Sequence, residues 1–380
     1  MKFTVLRNNL LHGLQIVSKA VNTRSPLPVL SNVLIKTEKG RIKLTTSNLH
    51  VTISTWIGAK IDDQGEFTVP AKLLLEFVSQ LTDEKIDFEL EGAVLNVTTE
   101  KSNAHFSGIV ASEFPEILTI EDGEKIELDS DEFSKALQKI QFVVATDESK
   151  PELTGVYVEL EDDNLVLAGT DGFRMAEYTM KLDKPVKNKV SCILPAKSLA
   201  DIVKTFSGEV KGEESDEKGS GKKISLLIND DRNIAVVSID DMTAYVRMIE
   251  AQYPDYKTIV PDEFTTEVKI SKDELASGVK LANIFAKDKG NMIKIVVNDG
   301  VVEILSQPTE SGSNSTKLQG EVEGDDLSIA FNARYLLEFF NNVEGDEVLF
   351  KASESVKPGW FQILGKDNYF YLVMPMKANW

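Results

Sequence analysis

Apolar residues recur at spacings of three and four in six stretches of this chain, and between those stretches they mostly alternate with polar residues. The first spacing predicts amphipathic helices and the second half-buried strands. Three of the helical stretches share a longer pattern: a short apolar strand, a Pro-Ala-Lys-like corner, then the helix. They read FTVPAKLLLEFVSQL from Phe67, CILPAKSLADIVKTF from Cys192 and IAFNARYLLEFFNNV from Ile329. Counted from Pro70, Pro195 and Asn332, the apolar helix positions fall at matching offsets: Leu74, Phe77 and Leu81, then Leu199, Ile202 and Phe206, then Leu336, Phe339 and Val343. The corners lie 125 and 137 residues apart, which is the length of a domain and not of a solenoid repeat.

A second helix is predicted ahead of each corner. Its apolar positions are Leu10, Leu14 and Val17, then Phe133, Leu137 and Ile140, then Leu275, Val279 and Ala282. Each follows a short strand (KFTV, KIEL, EVKI), and the second and third open on capping residues in DSDEF and SKDEL. Between the two helices of each copy run alternating segments such as VLSNVLIKTEKGRIKLTTSN, with polar turns that predict antiparallel hairpins. Further hairpins follow the second helix, as in KIDFEL with AVLNVTT and KISLLIN with NIAVVSI. The expected class is α+β: three repeated domains over 1–122, 123–256 and 257–380, each with two helices packed on antiparallel sheet. The stretch GEVKGEESDEKGSGKK from Gly208 reads as a surface loop inside the middle domain.

Composition changes this picture little. Of 380 residues, 42% are hydrophobic and 27% charged, ordinary for a globular protein. The single cysteine, Cys192, excludes an internal disulfide and reads as a buried thiol in an apolar strand. The N-terminus lacks a signal-peptide core and no stretch nears the ~20 apolar residues of a membrane span, so a cytoplasmic location with no membrane contact is expected.

Charge changes it more. A net charge of −19 argues against nucleic acid unless the basic residues are segregated. The predicted helices and their edges carry eleven basic residues, from Arg7 and Lys19 through Lys72, Lys135, Lys139, Lys197, Lys204, Lys272, Lys280 and Lys287 to Arg334, against seven acidic ones. The whole chain holds 42 against 61. Either these are ordinary solvated lysines, or the helices form a positive face suited to a loosely held polyanion.

No catalytic constellation emerges. His12, His50 and His105 share no metal-ligand spacing, and GxxxxGK[ST], GxGxxG after a strand, and GxSxG are all missing. The pairs Asp162-Asp163, Asp230-Asp231 and Asp240-Asp241 fit hairpin turns. Two tracts break the repeat. GTDGFRMAEY, from Gly169, places a turn and an arginine where the other copies have SNLHVTI and SQPTES. The chain's last strand, YFYLVMPMKANW, sets two methionines around a proline, which suits an adaptable apolar groove.

At these residues the chain resembles the bacterial sliding clamps, the beta subunits of DNA polymerase III. The likeness is carried along the whole length by MKFTV, RSPLPVLSNV from Arg24, LTG at Leu153, GTDGFRM, YPDY from Tyr253, FNARY from Phe331 and YLVMPM, in the family's order. It implies the DNA clamp fold, with two crescent protomers joined head to tail into a ring around duplex DNA, helices inside and sheets outside. By position, the dimer contact would use His105 and Phe106 on one side and Ile284 and Phe285 on the other. The DNA-facing residues would be Arg24, Lys72, Lys197 and Arg334.

The resemblance also implies a groove for short peptides of the replicative polymerase, the clamp loader and other partners. It would be formed by Leu153, Thr170, Gly172, Phe173, Arg174, Met175, Pro254, Thr258 and Ile259. The third domain would add Asn332, Tyr335, Val356, Pro358, Val373, Met374, Pro375 and Met376. In this reading Arg174 and the backbone are polar guides. No cofactor, metal or catalytic residue is implied. The chain departs from its relatives at Phe173, Thr258 and Lys357-Pro358, and it continues to Ala378-Asn379-Trp380, where Trp380 could occupy part of the groove. Three rival readings are an enzyme built on the Asp171–Arg174 turn, a peptide-binding scaffold that never meets DNA, and a specialised copy of the clamp tolerating a clamp-binding antibiotic.

Overall fold

A computed structural model of the chain describes residues 1–21, 27–117, 119–206, 221–310 and 312–380. Arg24 and the loop at 208–220 lie outside the described residues. Six α-helices occur among those described: α1 (Arg7–Val17), α2 (Ala71–Gln80), α3 (Ser130–Gln141), α4 (Ala196–Phe206), α5 (Lys272–Ala286) and α6 (Ala333–Asn342). They stand where the apolar spacing predicts them, each directly after a strand.

The Pro-Ala-Lys corner has a simple physical basis. Proline has no amide proton to continue a strand ladder and suits the entry to a helix. The strands Glu66–Pro70 and Val190–Pro195 therefore end on it, while Leu327–Asn332 ends on Asn332, whose side chain accepts the Arg334 amide proton at 3.0 Å. The alanine that follows is buried in all three copies (Ala71, Ala196, Ala333), so the next residue, Lys72, Lys197 or Arg334, stands exposed. Capping is also local at α3 and α5, whereas α1 follows Leu6 with no side-chain cap. The Ser271 hydroxyl accepts the Glu274 amide at α5, but at α3 the cap is the Asp129 carboxylate, which accepts the amides of Asp131 and Glu132.

The expected apolar positions of α1, α3 and α5 are all buried. One position of the corner repeat needs correction. In α2 the core residue is Val78, with no exposure, whereas Phe77 is only half-buried. Positions three and four beyond Leu74 both border the apolar stripe of a 3.6-residue helix, and spacing alone does not choose between them. Here Phe77 turns toward the edge strand and meets Phe106 edge-on at 5.6 Å.

The chain divides into two compact units, Met1–Ser134 with Lys197–Met248, and Lys135–Ala196 with Ile249–Trp380. In the first, the 13-residue strand Val51–Asp63 pairs with Lys2–Leu6 near one end and with Met242–Arg247 near the other, in register from Val51↔Val246 to Thr55↔Met242. One sheet therefore runs from the edge strand Asn103–Ser107 to Glu124–Asp129. In the second unit the same join recurs, Arg174–Lys181 pairing with Tyr369–Val373 from Arg174↔Val373 to Tyr178↔Tyr369. A separate four-stranded sheet there ends on the edge strand Ser315–Gln319. The sheets thus cross the repeat boundaries, because the last strand of each of these repeats adds to the free edge of the one before.

Candidate functional site

A cavity of about 300 Å³ opens in the second unit. One wall is the turn after the strand Asn164–Thr170. The Asp171 carboxylate accepts the amides of Phe173 and Arg174 at 2.9 and 3.0 Å, and the Thr170 hydroxyl accepts that of Gly172 at 3.0 Å. Gly172 holds φ +88°, a left-handed conformation that glycine adopts without a Cβ penalty. The amide of Met374 donates to the Phe173 carbonyl at 2.8 Å, which clips the end of the last strand to this turn.

The floor is apolar. Met175 and Leu372 pack with Ala168 and Tyr256, backed by Tyr157, Tyr253 and Trp360. Leu153, Pro254, Ile259 and Met374 complete the apolar lining, and Lys150, Glu152 and Asp255 add charge around it. Tyr256 is held by its hydroxyl, which donates to the Glu177 carboxylate at 2.6 Å. Burial raises the Glu177 carboxyl above its ordinary value, against the lowering effect of that hydrogen bond. A mostly apolar, concave site of this size, edged by a few charges, suits the side chains of a short peptide better than a polar metabolite.

Arg174, expected as a polar guide, lines the cavity with its guanidinium already committed to partners within the chain. Its side chain is buried, with Nε on Asp171 at 3.0 Å, Nη1 on Glu338 at 2.5 Å and Nη2 on the Phe142 carbonyl at 2.9 Å. The guanidinium also lies 4.5 Å from the Tyr335 ring centre. From the cavity lining it braces the turn, and Tyr335 packs on its guanidinium.

Of the other expected groove residues, Leu153, Thr170, Gly172, Met175, Pro254, Ile259 and Met374 line the cavity together with Arg174. Phe173 (64% exposed), Thr258, Val356 (74% exposed), Pro358, Pro375 and Met376 lie outside its lining, and Asn332 is spent capping α6. Val373 is fully buried. Alternation explains this: in a strand Leu372 and Met374 share one face and Val373 takes the other. The same alternation could have nominated Leu372, and YPDY contains Asp255 and Tyr256; Lys150 and Glu152 carried no comparable signal. Trp380 is not in the cavity either. Its backbone carbonyl accepts from the Lys294 ammonium, which sits 4.3 Å from the centre of its ring.

Basic side chains form the second feature. Lys72, Lys135, Lys197, Lys280 and Arg334 are exposed on the helices and make no ion pair among the described residues. The ion pairs that are described use lysines and arginines of strands, turns and loops, such as Lys36–Glu66 and Lys351–Glu267. Ile284 is 60% exposed on α5, with Phe285 half-buried beside it. His105 is exposed with Nδ1 2.6 Å from Asn96 Oδ1, while Phe106 is already buried within the chain.

Three models of DNA polymerase III beta subunit domains match in sequence: N-terminal over 1–118, central over 127–255 and C-terminal over 257–377. The chain belongs to the DNA polymerase III beta subunit family. These are sliding clamps, non-catalytic processivity factors of replication, so an enzyme built on the Asp171–Arg174 turn is set aside. The beta sliding clamp of Synechococcus elongatus is 28% identical, with both chains fully covered. That of Bacillus subtilis is 24% identical, again over the whole of both. Among solved structures, the beta subunit of Thermotoga maritima aligns with a TM-score of 0.87 at 25% identity, covering 99% of each chain. A sliding clamp of Pseudomonas aeruginosa bound to griselimycin aligns at 0.90 with 24% identity and full coverage of both chains.

Proposed function

We propose that two copies of this chain close head to tail into a ring that encircles duplex DNA without reading its sequence, and that the cavity tethers partner proteins by short peptides. The observation that carries the DNA reading is the placement of Lys72, Lys197 and Arg334. Each stands in the first turn of its helix, where the macrodipole is positive and a cation costs roughly 0.3–1 kcal/mol. None of these first turns holds an acidic residue. Repetition of an unfavourable charge at three equivalent corners is accounted for by an external anion. Diffuse lysine–phosphate attraction supplies affinity without grip, and it weakens with salt.

Ring closure is supported by two sheet edges, Asn103–Ser107 and Ser315–Gln319, each paired on one side only. An unpaired edge invites another strand. Ile284 adds an apolar contact on α5, with Phe285 and His105 close in sequence to these elements. The domain limits remain 1–122, 123–256 and 257–380 in this reading, with the first and third at the dimer contact. The partners are a clamp loader, the replicative polymerase and other proteins bearing clamp-binding peptides, in the cytoplasm. No helix among the described residues is long and apolar enough to cross a membrane.

The test is topological. Chain loaded onto nicked circular plasmid should be retained through gel filtration and be lost once the plasmid is linearised. Retention that survives linearisation would sink the ring reading, and a scaffold that never meets DNA would show no retention at all. For the cavity, Met374→Asp should abolish binding of a peptide ending in leucine and phenylalanine while leaving the dimer intact.

A further inference from the structure

The turn that walls the cavity occurs a second time, in the first unit. Between the strands Arg41–Ser47 and Val51–Asp63, Ser47 pairs with Thr52 as Thr170 pairs with Met175. The Asn48 side-chain oxygen accepts the amides of His50 and Val51 at 3.0 and 2.7 Å, repeating what Asp171 does for Phe173 and Arg174. The Ser47 hydroxyl accepts the Leu49 amide as Thr170 accepts that of Gly172. The amide of Arg247, at the end of the last strand of the middle repeat, donates to the His50 carbonyl at 2.8 Å. This matches the bond from Met374 to Phe173 in length and position. Behind this turn lies a cavity of about 170 Å³, edged by Pro115-Glu116 as the first is edged by Pro254-Asp255.

Its chemistry differs at four of the matched positions. Leu49 stands where Gly172 stands and holds φ +73°, a left-handed backbone that leucine rarely adopts, with 52% of its surface exposed. A turn selected only for folding would place glycine or asparagine there. Tyr245 replaces Leu372, His50 replaces Phe173, and Arg247 replaces Met374. Arg247 is exposed and makes no ion pair among the described residues, and Glu116 is the acidic residue of the lining. The result is a small hole lined about equally by polar and apolar groups, with Leu49, Ile117, Ile234 and Tyr245 on its apolar part, and Arg247, Glu116 and an imidazole among the rest.

We propose that this is a second peptide pocket, for an acidic segment of a partner protein that inserts one aliphatic side chain and sets a carboxylate against Arg247. The volume, about half that of the first cavity, limits the anchor to one side chain of leucine size. The exposed Arg247, which makes no ion pair among the described residues, selects a carboxylate beside the anchor, and Glu116 in the same lining confines that carboxylate to the Arg247 side. The inference borrows from the reading of the first cavity as a peptide site, but it rests on separate residues.

The test is calorimetric titration of the full chain with an N-acetylated pentapeptide of three glutamates, a leucine and a C-terminal aspartate. Saturable binding is expected, weakened about tenfold or more by Arg247→Glu and less by Arg247→Gln, and unmoved by Met374→Asp. Replacing the leucine of the probe by alanine should weaken it about tenfold. No saturable binding, indifference to Arg247→Glu or to loss of the leucine, or sensitivity to Met374→Asp would each overturn the proposal. Titration of the leucine–phenylalanine peptide against Met374→Asp reports on the first cavity independently, so failure of one reading is distinguishable from failure of the other. Arg247 lies exposed at a strand end, and unchanged thermal melts of its variants check that the fold is kept.

Discussion

Replacing Arg174 by alanine separates a brace from a ligand-facing residue. The guanidinium is 8% exposed and joins Asp171, 18% exposed, to Glu338, 37% exposed, while a third nitrogen holds the Phe142 carbonyl. Arg174→Ala strands two carboxylates and a carbonyl. Removing one partner of a buried pair costs about 3–5 kcal/mol. Water reaches Glu338 and reduces its share, so about 3 kcal/mol is expected here. In a unit of this size that corresponds to a fall of about 6–12 °C in the melting temperature, read by circular dichroism on the full chain. Peptide affinity should fall as well, because the Asp171–Phe173 turn loses its backing. Adding Glu338→Ala should recover about 1 kcal/mol by removing a stranded charge. A variant that melts with the wild type but no longer binds peptide would refute this reasoning and return Arg174 to the role of polar guide.

Other outcomes test separate parts of the structure. Ile284→Arg should give monomers in sedimentation with an unchanged circular dichroism spectrum, since Ile284 is exposed within the chain; a persistent dimer removes it from the interface. Tyr253→Phe should be neutral or stabilising by up to about 1 kcal/mol in urea unfolding, because the Tyr253 hydroxyl is buried without a hydrogen-bond partner among the described residues. Gly108→Ala should destabilise by about 1–3 kcal/mol, as a Cβ there would lie 1.9 Å from the Thr68 carbonyl oxygen. Glu177 carries a sign that can be checked. Burial lifts its carboxyl above the ordinary 4.5, so the folded chain favours the protonated form. That contribution is complete below pH 4.5 and is lost as pH rises through the folded-state value. Glu177→Gln, which keeps an acceptor for the Tyr256 hydroxyl, should therefore gain stability at pH 7 relative to pH 4; equal effects at both would contradict it.

Alternation and helical spacing marked the six helices, the hairpins and the threefold corner, because those signals depend only on which residues face the core. The corner was legible down to its exposed cation: proline ends the strand, alanine packs beneath it, and the next side chain must point outward. The cavity was legible where a motif interrupts the repeat, in GTDGFRM and in the alternate residues of YLVMPM. Within those motifs, spacing did not tell Val373 from Leu372 until strand alternation was applied to them.

Three things were decided by tertiary structure alone. The first is the state of Arg174, whose partners Phe142 and Glu338 lie 32 and 164 residues away in sequence, beyond any local pattern. The second is Trp380, which reads as an apolar tail able to fill a groove but is drawn to Lys294 by a cation–aromatic contact. The third is the second cavity. By itself SNLHVTI shares almost no side chain with GTDGFRM, yet both fold into one turn, because main-chain amides need only an oxygen at the right place and Asn48 supplies it as well as Asp171. Backbone hydrogen bonding preserves geometry that side-chain identity has lost, so sequence determined the repeat of domains, and only the fold revealed the repeat of the pocket.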